Sequence, residues 1–264
     1  TLGVRFHGHV LPIAWDILPY PWPKKQFTPT VVALLDRTLA CWPADRSVHL
    51  VADRGFPSLP FFCCLERWQQ RAPLDYTIRL RAGDWVRRDG GQVVKVATLM
   101  QGIALGTWQR YPASYHRRGK AGPASWLLVG RGLPVYPPPQ QGPADRARRQ
   151  EKAARRVAHL QSKGQAQAPA TDGVWVLLTT ASTCVAGIQH YMGRFSTEGT
   201  YRDWKTWDLE AVAGHETDVA HLDGLLGLAA LAYIVQAALG AAAGRAEDAP
   251  ARARDRAIRS RSHT

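Results

Sequence analysis

Tyr191, Arg194, Glu198, Arg202 and Lys205 set one acid among bases and a phenol within a single short stretch. If that stretch is one α-helix at about 100° per residue, the five side chains fall in a stripe roughly 80° wide. A carboxylate leaving water needs a cation or a metal, and the bases need anions. A polyanion handled by a metal-bound carboxylate would satisfy both demands. The same spacing also fits a solvated helix face with Glu198 and Arg202 as an i, i+4 pair.

A second acid stands in a different setting. Val48-His49-Leu50-Val51-Ala52 is a short apolar run of the kind that forms a central strand, and it ends on Asp53-Arg54-Gly55-Phe56. A carboxylate at the C-terminal end of a buried strand, before a glycine turn and a helix over roughly 58–70, sits where α/β folds place their chemistry. Spacing alone equally allows Asp53 to cap that helix or to pair with Arg54. Cleavage and transfer of a phosphodiester need a nucleophilic oxygen, neutralised phosphoryl oxygens and a stabilised leaving oxygen. Two divalent ions ~3.5–4 Å apart meet all three needs, and hard Mg²⁺ prefers carboxylates and water.

These residues also carry a resemblance. Tyr191, Arg194, Glu198 and Lys205, with gaps of two, three and six residues and extended by Trp204-Lys205-Thr206, resemble the signature of a large group of insertion-sequence DDE transposases. Leu11-Pro12-Ile13-Ala14-Trp15, Asp53-Arg54-Gly55-Phe56 and the Trp175-x-Leu177-Leu178-Thr179 segment are similar to further stretches of that family. The likeness covers most of 1–15, 48–81 and 173–240. It implies an α/β fold with a ribonuclease-H-like mixed sheet flanked by helices and interrupted by a β-rich insertion. It also implies Asp53 and Glu198 as catalytic metal ligands for Mg²⁺ or Mn²⁺, with two ions in the complete enzyme. Arg194 and Lys205 would hold phosphates at the transposon end, Tyr191 would contact the same strand, and Arg79 and Arg202 would add DNA contacts. Trp175 would stack on a flipped base, an interaction worth ~1–3 kcal/mol. The family's first catalytic Asp is expected upstream of Thr1, and Asp16, Asp36 and Asp45 do not stand in its place. With no initiating Met, the chain reads as a fragment.

The activity so implied is metal-dependent cleavage at transposon ends followed by transfer of the freed 3′-hydroxyl to target DNA, within a synaptic homodimer in a prokaryotic cytoplasm. A catalytically inactive, DNA-binding remnant and a nuclease of the same fold are the alternatives.

Composition agrees with a polyanionic partner: the chain has 264 residues, a formal net charge of +13 and a pI near 10.1. Cys41, Cys63, Cys64 and Cys184 form no C-x-x-C pair, so they read as reduced thiols. Leu225 to Val235 is almost wholly apolar but shorter than a membrane span, and reads as a buried core helix packed on the sheet.

Four segments follow. Residues 1–81 begin the catalytic core, with strands over 2–6 and 10–18, a helix over 30–41 that Thr28 or Thr30 could cap, and strands over 48–52 and 75–80. Residues 82–172 are the β-rich insertion, with a hairpin about Asp89-Gly90-Gly91 joining Trp85-Val86 to a strand over 93–100, a further strand over 126–129, and a basic run over 144–163. Residues 173–243 return to the core through a strand over 173–180 and the Glu198 helix, and 244–264 are a basic, disordered tail.

Overall fold

Val48–Ala52 is a strand, as expected, but it lies at the edge and not at the centre of a sheet that has eight strands among the described residues. The computed structural model describes residues 1–7, 9–18, 25–132, 173–197, 200 and 218–261, with side chains as far as 243. The chain divides into two compact units, Trp42–Tyr191 and Thr1–Cys41 with Met192–Thr264.

The first unit is built on the large sheet. Its strands are β3 (Val48–Ala52), β4 (Leu74–Arg79), β5 (Trp85–Arg88), β6 (Val93–Lys95), β7 (Trp108–Arg117), β8 (Lys120–Ala121), β9 (Ser125–Arg131) and β10 (Val174–Thr179). The order is β3-β4-β10-β9-β7-β5-β6, with β8 on β7. Among the described strands only β3 and β4 pair in parallel and the other strand pairs are antiparallel, with one isolated parallel bridge between Leu105 and Arg131. The class is therefore mixed α/β with a mostly antiparallel sheet and flanking helices. The strands of 82–132 continue the sheet that holds β3, β4 and β10.

Side chains alternate across that sheet. One face carries Tyr76, Ile78, Leu127, Val176 and Leu178, all buried, and receives helix α2 (Leu59–Gln69) through Phe61, Phe62 and Leu65. The Tyr76 hydroxyl meets Ser125 Oγ at 2.5 Å, which satisfies both buried groups. The opposite face carries Thr77, Thr179, Leu177 and Leu128 and receives helix α4 (Cys184–Gly193) through Gly187 and Ile188. A Cβ on Gly187 would lie 2.8 Å from Leu128 Cδ1, so glycine lets this helix close on the sheet.

The second unit holds the hairpin β1 (Leu2–Phe6) and β2 (His9–Ala14), helix α1 (Phe27–Ala40) and helix α5 (Val219–Arg261). β2 is shorter than expected and includes Pro12, tolerated because a two-stranded ribbon has only edges. Helix α1 begins at Phe27 with Gln26 in the cap position and no side-chain cap, so neither Thr28 nor Thr30 plays that part. Thr200 is buried and binds β2 by accepting from Val10 N–H at 3.0 Å; Tyr233 of α5 lies 3.4 Å from the same hydroxyl.

Three other expectations change. The strand expected over 93–100 stops at Lys95, and Val96–Leu99 forms the short helix α3. Helix α5 is not a buried core helix: Ala229, Ala230 and Tyr233 are buried, whereas Leu228, Leu231, Val235 and Leu239 are exposed. Its stretch Val219–Ala243 is long and apolar enough to cross a membrane, by length and composition only. Finally, the residues after 244 continue α5 to Arg261 instead of forming a disordered tail, in keeping with the high helix propensity of Ala and Arg.

Candidate functional site

Asp53 follows β3 directly, and the register sets its surroundings. Ala52 pairs with Ile78, so Asp53 comes beside Arg79 at the end of β4. Arg79 pairs in turn with Leu177 of β10, and Trp175, two residues from Leu177, shares its face. Tyr191 reaches that face from the last turn of α4. Its hydroxyl donates to Asp53 Oδ1 at 2.9 Å, its ring meets the Trp175 ring edge-on with centroids 5.2 Å apart, and the Arg79 guanidinium lies 5.9 Å from the centre of Trp175. Four residues far apart in sequence, Asp53, Arg79, Trp175 and Tyr191, thus converge at one end of the sheet.

The electrostatics fix the direction of the central hydrogen bond. Burial pushes the Tyr191 phenol up, its bond to Asp53 and that carboxylate's charge push it further, and Arg79 pulls it back through a hydrogen bond and its charge. The phenol therefore keeps its proton at neutral pH and remains the donor. Asp53 does not cap α2, because that helix starts at Leu59 with Ser58 in the cap position. The turn after Asp53 is closed by Phe56 N–H to Asp53 O at 3.1 Å. It is braced by Arg81, whose guanidinium donates to Arg54 O and, at 2.8 Å, to Gly55 O.

The expected continuous helix from Tyr191 to Lys205 is interrupted. Helix α4 ends at Gly193, and Arg194 and Phe195 form a turn closed by Phe195 N–H to Met192 O at 3.1 Å. Glycine carries the largest helix penalty after proline, a local cost that periodicity does not register. A stripe calculated for one straight helix therefore does not carry across Arg194 and Phe195. Arg194 lies in the turn with its guanidinium 5.0 Å from the Phe195 ring centre. Glu198, Arg202, Lys205 and the basic run over 144–163 lie outside the described residues.

A hard divalent ion takes oxygen donors, and Asp53 is a half-buried carboxylate held in orientation by a phenol, which suits one such donor position. Among the described residues no three His, Cys, Asp or Glu side chains gather into a metal cluster.

Two features of the site escaped the sequence reading. Trp108 of β7 crosses Gly130 of β9 and meets Trp175 edge-on with centroids 6.3 Å apart; a Cβ on Gly130 would overlap its indole. Glycine at 130 thus makes the notch in which this second tryptophan lies. The alternation of Tyr111, Ala113 and Tyr115 with Arg110, Pro112 and Ser114 was a period-two signal for β7, masked by the proline.

The second is a histidine pair. His49 of β3 stacks on His190 of α4 at 3.6 Å between centroids, and its Nε2 lies 2.9 Å from Thr77 Oγ1. Burial, then the charge of His190, pushes His49 down to about 4, with Asp75 opposing. A histidine held neutral in the folded chain and titrating near 6.5 when unfolded contributes stability that is complete above ~6.5 and is lost as pH falls towards 4. Urea midpoints should therefore fall between these values, with a slope of at most about 1.4 kcal/mol per pH unit from this proton. His49→Gln should flatten that slope.

No family model matches the chain, and no curated protein and no solved structure is significantly similar to it.

Proposed function

We propose that the chain is the catalytic core of an insertion-sequence DDE transposase, acting on DNA by metal-dependent cleavage at transposon ends and transfer of the 3′-hydroxyl to target DNA. The observation that carries this reading is the convergence of Asp53, Arg79, Trp175 and Tyr191, each singled out from the sequence for such a role, on one end of one sheet face. A ribonuclease-H-like arrangement belongs to the same proposal, supported by the parallel β3–β4 pair with an acid at the end of β3 and by α4 returning over that face. A synaptic homodimer in a prokaryotic cytoplasm completes it.

In this reading Asp53 and Glu198 hold the divalent ions, which when bound supply Lewis-acid stabilisation and an activated oxygen nucleophile. The protein's own groups prepare the site. Tyr191 keeps its proton and fixes the Asp53 carboxylate. Arg79 supplies a fixed positive charge for a phosphate, positioning DNA without reading its sequence. Trp175 offers an aromatic surface for an unpaired base.

The test is Mg²⁺- or Mn²⁺-dependent cleavage of DNA bearing the native element's end, by this chain and by a version extended upstream, each with and without Glu198→Ala. Cleavage and end joining that Glu198→Ala abolishes are expected. Cleavage without joining would indicate a nuclease. DNA binding with no cleavage by either version would indicate an inactive remnant. Cleavage insensitive to Glu198→Ala would remove that residue from the site.

A further inference from the structure

The face that carries Trp175 does not end at Trp108. From the register, β7 presents Trp108, Arg110, Pro112, Ser114 and His116 on that side. Trp126 of β9 pairs with Pro112, Arg87 of β5 with Ser114, and Trp85 with both His116 and Lys95 of β6. The Arg110 guanidinium lies over Trp126, 3.7 Å from its ring centre, and donates from Nη2 to Ala181 O at 3.3 Å. Trp85 is 45 % exposed, and Arg87 and Lys95 are exposed. None of the positions that β5, β6, β7 and β9 present on this side is acidic. By contrast, the other side of the same strands buries Val86, Ala113 and Tyr115 beneath or beside α2.

We infer that this outer sheet face is a binding platform for single-stranded DNA, with the exposed Trp85 and the half-buried Trp108 as stacking surfaces and the exposed Arg87 and Lys95 as phosphate contacts, beside the Arg110–Trp126 pair. These groups lie on neighbouring strands of one face, along a course that follows β7. From Trp108 to His116 that course is about 27 Å at ~3.4 Å per residue. It matches on the order of four nucleotides, the lower end of the range seen for sheet platforms that bind single strands. Charge complementarity selects a polyanion, and the rings select one whose bases are unpaired, because a duplex offers only its phosphates to a flat aromatic surface. The inference rests on the proposed DNA-processing role only for the choice of DNA over RNA.

Fluorescence anisotropy of labelled oligothymidylate with the full chain, in EDTA, tests it separately from cleavage. The chain should bind this strand more tightly than oligothymidylate paired with oligoadenylate, and more tightly than oligouridylate. Trp85→Ala should weaken binding about tenfold, and Trp85→Phe should restore most of the loss. Arg87→Ala with Lys95→Ala should reduce the slope of log affinity against log salt by about 1.4, as expected for two lost phosphate contacts. Arg46→Ala, an exposed cation in the loop before β3 that changes net charge by one, should have little effect. Equal effects of Trp85→Ala and Arg46→Ala, or tighter binding of duplex or of oligouridylate, would overturn the proposal. Because no divalent ion is present, neither result bears on the metal site.

Discussion

Asp53→Asn should lower metal-dependent cleavage roughly a thousandfold, a loss of about 4 kcal/mol of transition-state stabilisation, while leaving the fold and DNA binding in place. The substitution is nearly isosteric. An asparagine carbonyl still accepts from the Tyr191 hydroxyl, which now donates to Asp53 Oδ1 at 2.9 Å, so the contact between α4 and the end of β3 survives. What disappears is the negative charge, and a hard divalent ion holds its position largely through charged oxygen donors. DNA binding measured without divalent ion should be unchanged or slightly tighter, since an anion beside the phosphate path has been removed. Cleavage rate, binding and thermal unfolding should be measured on the same preparations, in the version of the chain that cleaves. A variant that cleaves at more than a tenth of the original rate would place the metal elsewhere, and one that loses binding and folding together would make Asp53 a structural residue.

Why this site was only partly legible follows from the kinds of signal its residues carry. β3 and β10 were readable because Val48–Ala52 and Val174–Thr179 are dense apolar runs bounded by turns. Asp53 was readable for the same reason, standing where such a run stops. The meeting of Asp53 with Arg79 and Trp175 is a matter of strand register, and a register between segments a hundred residues apart leaves no local trace. Trp108 was hidden because its strand contains Pro112 and alternates between half-buried faces. The stretch Leu225 to Val235 of helix α5 shows the converse failure: apolar on all sides, it reads as buried, although composition cannot tell a helix enclosed by neighbours from one that, among the described side chains, buries Ala229, Ala230 and Tyr233. Gly193 is the simplest case, where periodicity was extended across a residue whose local cost ends the helix.

Phe62→Ala should cost about 3–5 kcal/mol of unfolding free energy, the range for deleting a fully buried aromatic side chain. Phe62 is completely buried, and its ring stands 4.9 Å from Tyr115, 5.9 Å from Tyr76 and 5.9 Å from Phe61, centre to centre. Tyr76 belongs to β4, in the parallel pair that ends at Asp53, whereas Tyr115 belongs to β7, in the antiparallel extension. One ring on α2 therefore packs against both parts of the sheet. Little can collapse into the space it leaves: Tyr76 is tied to Ser125 through its hydroxyl, and Gly122 offers no side chain. Because domains are stable by only ~5–15 kcal/mol, the variant should show a large fall in urea midpoint. Phe62→Leu, which keeps most of the volume, should lose far less. Phe62 lies on the face opposite Asp53 and Trp175, so the folded fraction of Phe62→Leu should bind DNA like the parent chain. A cost below about 1 kcal/mol for Phe62→Ala would mean that α2 does not hold the two halves of the sheet together, and the position of Asp53 relative to Trp175 would need another support.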